Sequence, residues 1–209
     1  FYSSLAHLPI GVAVTIEFIG PLSLAAALSR RWLDAVAVAA AAAGVVLISE
    51  ALSTPFADLE KTGIALALLA GAFWAAYIVL AGRTGGEFPK LEGLALAMVV
   101  ATVVTLPLGI TSAPSWSPDI LLKAFGIAVL SSVLPYSLEL LALRRLSAKV
   151  FGILLSLEPA FAALAGLLVL GQVLSPTQLV GMALVVAASA LVLGLGARQK
   201  PDPAEAAST

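Results

Sequence analysis

Residues 8–27, LPIGVAVTIEFIGPLSLAAA, and residues 146–165, LSAKVFGILLSLEPAFAALA, share an uncommon combination. Each sets a glutamate just before a proline inside an otherwise apolar run and leads through a turn into a helix rich in small residues. With Pro21 placed on Pro159 the two also share Leu8/Leu146, Val12/Val150, Ala25/Ala163 and Ala27/Ala165. In Ala/Leu-rich sequence the identities weigh less than the common order of acid, proline and small-residue helix. A carboxyl group at membrane depth costs several kcal/mol, on the order of 3 on insertion scales, so it faces a protein interior or a watery cavity.

The rest of the chain is built to match. Of 209 residues 61% are hydrophobic and 11% charged, and the mean hydropathy is +1.08, far from an ordinary soluble domain. A bilayer core of ~30 Å takes about 20 apolar residues per helix. Runs of that length fall at 8–28, 33–52, 62–82, 92–111, 120–143, 148–171 and 176–197. The expectation is an all-α polytopic membrane protein with about seven full transmembrane helices, and FYSSLAHLP at the start reads as the stub of an earlier helix. The chain opens at Phe1 without a methionine or a basic n-region, so the start does not read as a signal peptide; the expectation is a piece lacking its N-terminal part. The tail 198–209, RQKPDPAEAAST, is too polar to pack and reads as disordered and solvated.

Lys and Arg gather in cytoplasmic loops. Sorted by alternate turns, Arg30, Arg31, Arg83, Lys90, Arg144, Arg145, Lys149, Arg198 and Lys200 fall on one side, and only Lys61 and Lys123 on the other. This places the C-terminus in the cytoplasm and the loops at 53–61, 112–119 and 171–175 outside. Four spans separate the two glutamate-proline helices, so they cross the membrane in opposite directions. An inverted repeat of this kind is a device of secondary transporters, with the solute site at the repeat interface near midplane.

Three acids stand inside apolar spans: Glu17, Glu139 and Glu158. Glu158 is central in its span, and Pro159 beside it removes a backbone donor and frees a carbonyl for a ligand. Glu17 has Gly20 and Pro21 one turn on. Either acid suits a substrate ammonium or a proton, and either also suits a paired or protonated carboxyl that joins helices. Glu139 reads equally as a cavity group and as a snorkelling partner of Arg144 or Arg145. Trp74 and Tyr77, one turn apart, and Tyr136 after Pro135 are aromatics with a polar handle that line cavities or simply pack. His7 reads as an interfacial residue at an outer helix end, and Arg30 and Arg31 as topology determinants.

Other classes find no support. A net charge of -1 with cations confined to short loops argues against nucleic acid. With no cysteine and one histidine there is no disulfide and little to hold a metal. No HExxH, GxSxG or GxxxxGK[ST] occurs, so no cofactor, ATP-driven pump or hydrolase is expected.

The stretch YSLELLALRRLSAKVFGILLSLEPAFAALAGLLVLGQVL (136–174) resembles the second-half signature of EamA-type carriers of the drug/metabolite transporter superfamily, with LPYSLE (134–139), RRLSAKVFG and SLEPA as its more specific segments. LPIGVAVTIEFIGPLSLAA resembles the matching first-half segment, and together they look closest to the threonine/homoserine exporter branch. The resemblance reaches to about residue 197. It implies a ten-helix fold of two inverted five-helix repeats with both termini cytoplasmic. Residues 1–52 would then hold the end of helix three with helices four and five, 53–61 an external loop, 62–197 helices six to ten, and 198–209 a cytoplasmic tail. It also implies a central cavity near Glu17, Trp74, Tyr77, Tyr136, Glu139 and Glu158. The expected function is secondary export of small amino acids or related metabolites across the bacterial inner membrane, by proton exchange. The expected partners are a small-molecule substrate, the proton and the lipid bilayer, with the oligomeric state left open. A carrier of other specificity and a non-transporting membrane scaffold are the alternatives, since fold alone does not assign cargo.

Overall fold

The computed structural model of the chain describes residues 1–111 and 116–197. Arg198, Lys200 and the tail 198–209, together with part of the loop expected at 112–119, lie outside the described residues. The described chain is helical: α1 Ile10–Ala27, α2 Trp32–Ile48, α3 Lys61–Glu87, α4 Glu92–Ile110, α5 Pro118–Ala128, α6 Leu134–Leu143, α7 Ala148–Leu154, α8 Leu157–Leu170 and α9 Pro176–Ala197. A π-turn at Val129–Val133 joins α5 to α6. Among the described residues five segments are long and apolar enough to cross a membrane: Ile10–Ala27, Lys61–Arg83, Pro118–Leu143, Ala148–Leu170 and Pro176–Gly194. Trp32–Ile48 and Glu92–Pro107 are shorter apolar helices.

The described residues form two compact units, one of Phe1–Ile78 with those from Ala148 onward and one of those within Val79–Ser147. In the first, α2 and α9 are the most intimate pair. Ala37, Ala41, Val45 and Ile48 lie on one face of α2, and Val185, Ala188 and Val192 on one face of α9; all are buried at the 3.6-residue spacing of a helix stripe. The crossing sits at Gly44 and Gly181, and it is reciprocal. A methyl on Gly44 would fall 2.8 Å from the Gly181 carbonyl, and one on Gly181 would fall 2.8 Å from the Gly44 carbonyl. Next in line, Gly44 faces Val185 and Gly181 faces Ile48, each four residues beyond the opposite glycine. At the far end Gln178 Nε2 donates to the Ile48 carbonyl at 3.3 Å and Ser175 to Glu50 Oε1 at 3.0 Å. Glu50 takes a left-handed conformation, φ 52°, which ends α2 at Ile48 rather than at residue 52 as its apolar run suggests.

α1 packs on α2 and on α7. Phe18, Leu22 and Ala25 enter the same core, joined by Ile153 and Ala160. Pro21 sits within α1 without ending it. Its missing N–H and its ring deny the Glu17 carbonyl a helical donor, and that carbonyl lies against Gly71 of α3, 2.5 Å from where a methyl on Gly71 would stand. A methyl on Gly20 would collide in turn with the Gly71 carbonyl.

In the second unit α4 packs on α6. Arg144 Nη2 donates to the carbonyls of Phe88, at 2.6 Å, and Lys90. Ser117 caps α5, accepting from Ile120 N–H at 3.3 Å, with Pro118 at the first helical position, the standard start chemistry. Val99, Val100, Val103, Val104, Phe125 and Ile127 are exposed, as side chains meeting hydrocarbon would be.

Candidate functional site

The two glutamate-proline segments share a sequence order and differ in backbone. Around Pro159 the helix breaks: α7 ends at Leu154 and α8 begins at Leu157. Ser156 sends both N–H and Oγ to the Ile153 carbonyl, at 3.1 and 2.6 Å. Glu158 N–H goes to the Leu155 carbonyl at 2.9 Å. These bonds reach back three residues instead of four. Pro159 cannot donate to Leu155, so Glu158 takes that carbonyl and the ladder resets at Leu155–Ser156. Proline is well tolerated where it then falls, in the first turn of the new helix.

Glu158 stands in that first turn, where the helix dipole favours a negative charge, and its side chain is exposed. Glu17 is half-buried on α1. Phe18, next to Glu17, meets Trp74 edge-to-face with ring centroids 5.1 Å apart and planes at 72°. Trp74, Leu155 and Leu157 pack on the cluster that holds Phe18 and Ile153. The first unit thus gathers Glu17, Glu158, Trp74 and the helix break. Tyr77 is half-buried one turn beyond Trp74, its hydroxyl buried. Tyr136 and Glu139 belong to α6 in the second unit, three residues apart on one helix face, Tyr136 at 36% exposure and Glu139 with a buried Oε2.

Sequence reasoning passed over Asp34. This acid, 2% exposed in the first turn of α2, pairs with Lys149 at the start of α7, Oδ2 to Nζ 2.8 Å. Both fall on the cation-rich side, the one signal that placed them together. His7, read as interfacial, has Nδ1 2.8 Å from Glu60 Oε2. Among the described residues no group of three or more His, Cys, Asp or Glu could hold a metal ion.

The sequence pattern of the EamA-like transporter family matches residues 61–194, from the first residue of α3 almost to the end of α9. The chain belongs to the EamA-like transporter family. This EamA-like chain is 40% identical over 191 residues to the threonine/homoserine exporter RhtA of Escherichia coli K12 and, to the same extent, to that of Salmonella typhimurium LT2. The aligned part is 90% of the chain, and it spans 64% of those relatives' length. A solved structure matches 93% of the EamA-like chain and 70% of its own, with a TM-score of 0.70 at 20% identity, and so shares the fold.

Proposed function

We propose that this protein exports small amino acids such as threonine or homoserine across the bacterial inner membrane in exchange for protons. In this reading seven spans and a helix stub belong to a ten-helix carrier of two inverted five-helix repeats, residues 1–52 to the first and 62–197 to the second. The C-terminus is cytoplasmic, as the cation distribution favours, and access alternates as the repeats rock. The observation that carries the substrate class is the 40% identity, over 90% of the chain, with proteins named threonine/homoserine exporters.

The geometry fits such a role. Glu17 and Glu158 are two carboxyls of the same compact unit, Glu158 beside a helix break, and in this reading they share one cavity, where like charges are costly to keep together. A proton on one, or a substrate ammonium between them, relieves the repulsion. Proton and substrate therefore compete for the same oxygens, which is the elementary requirement of antiport. Trp74 and Tyr77 would form the apolar wall.

Labelled threonine and homoserine efflux is measured from loaded cells with and without the full-length gene, then in proteoliposomes under an imposed pH gradient. Gene-dependent efflux driven uphill by the gradient is expected. Glu158→Gln, whose amide resembles the protonated acid, should keep expression and lose the uphill component, and Glu139→Gln should be milder. Accumulation by the Glu158→Gln protein equal to wild type would sink the coupling role.

A further inference from the structure

Helix α7 is seven residues long, Ala148–Leu154, too short to be stable on its own account. The reset ladder at Leu155–Ser156 separates it from α8. Lys149 lies in its first turn, where the helix dipole disfavours a cation; local helix preference therefore does not account for its placement. Its Nζ is instead 2.8 Å from Asp34 Oδ2, with side-chain exposures of 25% and 3%. The same Oδ2 accepts the Arg30 N–H at 3.4 Å. Elsewhere α7 rests on contacts without charge: Phe151 and Ile153 are buried, and a methyl on Gly152 would stand 2.8 Å from the Pro21 carbonyl.

A short helix with a backbone break at one end and a buried ion pair at the other has the parts of a hinged segment. We infer that α7 is a gate at the cation-rich mouth, hinged at Leu155–Ser156, and that Asp34–Lys149 is its latch. This rests on the transporter reading. With the pair closed, α7 stays against α1 and the approach to Glu158, one turn beyond the hinge, is shut from that side. When the pair parts, both charges return to water together, because either one left alone in the interior is strongly unfavourable. The latch is therefore two-state, shut or hydrated.

The test uses the full-length protein and a reporter at the hinge. Residues 1–209 contain no cysteine, so in a full-length background without other cysteines Ser156→Cys, at a site wholly buried here, is the sole thiol. Its reaction with a membrane-impermeant maleimide is timed in inside-out vesicles. Slow labelling is expected in the otherwise unchanged protein, and Asp34→Asn or Lys149→Gln should each accelerate it about tenfold or more. The exchange Asp34→Lys with Lys149→Asp should recover most of the protection. Unchanged rates in both single variants would overturn the latch. A second arm covers poor folding of those variants: Asp34→Cys with Lys149→Cys is bridged by a reversible bis-methanethiosulfonate. Bridging should stop amino-acid efflux and reductant restore it in the same sample; efflux indifferent to the bridge overturns the proposal. Should the wild-type protein move no amino acid while the labelling pattern holds, the transport reading falls and the latch stands.

Discussion

Gly71→Ala is the sharpest test of how α1 and α3 are joined. The added methyl would stand 2.5 Å from the Glu17 carbonyl oxygen and 3.2 Å from its carbon. Ordinary van der Waals contact begins at 3.4 Å, so the helices must part by about 0.9 Å at this point. The atoms met are backbone, and no rotamer change relieves the clash. Overpacking of this kind costs about 1–3 kcal/mol, and replacing a mid-helix glycine by alanine returns about 0.5–1. The net loss is then about 0–2.5 kcal/mol, or up to roughly 10 °C in midpoint at about 2–4 °C per kcal/mol for a chain of this size. Gly82→Ala, eleven residues along the same helix with nothing within 4 Å of the added methyl, is the control. It should gain about 0.5–1 kcal/mol. Thermal unfolding in detergent, followed by Trp74 emission with Trp32 and Trp116 replaced by Phe, reads both stability and separation, since Trp74 rests on Phe18. A Gly71→Ala midpoint at or above that of Gly82→Ala would refute the contact.

At the α2–α9 crossing, Gly44→Ala and Gly181→Ala should each cost about 1–3 kcal/mol and to a similar degree, because each methyl meets the other glycine's carbonyl at the same 2.8 Å; a loss at one site only, in the same thermal assay, would contradict the reciprocity. For orientation, a cysteine at Thr54 should react with an impermeant thiol reagent on intact cells while one at Ser147 should not, and strong external labelling at Ser147 would reverse the topology.

Much of the architecture was legible because hydrocarbon thickness sets helix length. The boundaries expected for the runs at 92–111, 148–171 and 176–197 fall within a residue or so of α4, α7–α8 and α9. Where the reading strayed, the cause is local: apolar content cannot show that Glu50 turns left-handed and ends α2 early. Pro159 marks a disturbed ladder, but the same residue at Pro21 leaves α1 continuous, with the Glu17 carbonyl against Gly71, a neighbour fifty residues from Pro21 in sequence. Trp74 had been open between cavity lining and packing, and its edge-to-face contact with Phe18 shows that packing is part of its role. The Asp34–Lys149 pair was invisible to periodicity because its partners are 115 residues apart. Glu139 had Arg144 as a candidate partner; Arg144 Nη2 turns to the Phe88 and Lys90 carbonyls, acceptors that carry no side-chain signature.

A door swings widely at its edge and hardly at all along its pin. The mutual contact of Gly44 and Gly181, with Ile48 and Val185 matched at equal steps beyond them, has the form of a local two-fold axis, and points on an axis are displaced least when parts exchange positions. The two glycines themselves offer no side chain to cushion sliding, so under the proposed alternating access backbone packed this closely would persist only if it lies near such a pin. Larger excursions would then fall to helices further out. Distance from the glycine seam thereby becomes a measure of how far each helix travels, one that spin labels along α1 and α8 could read out in ångströms.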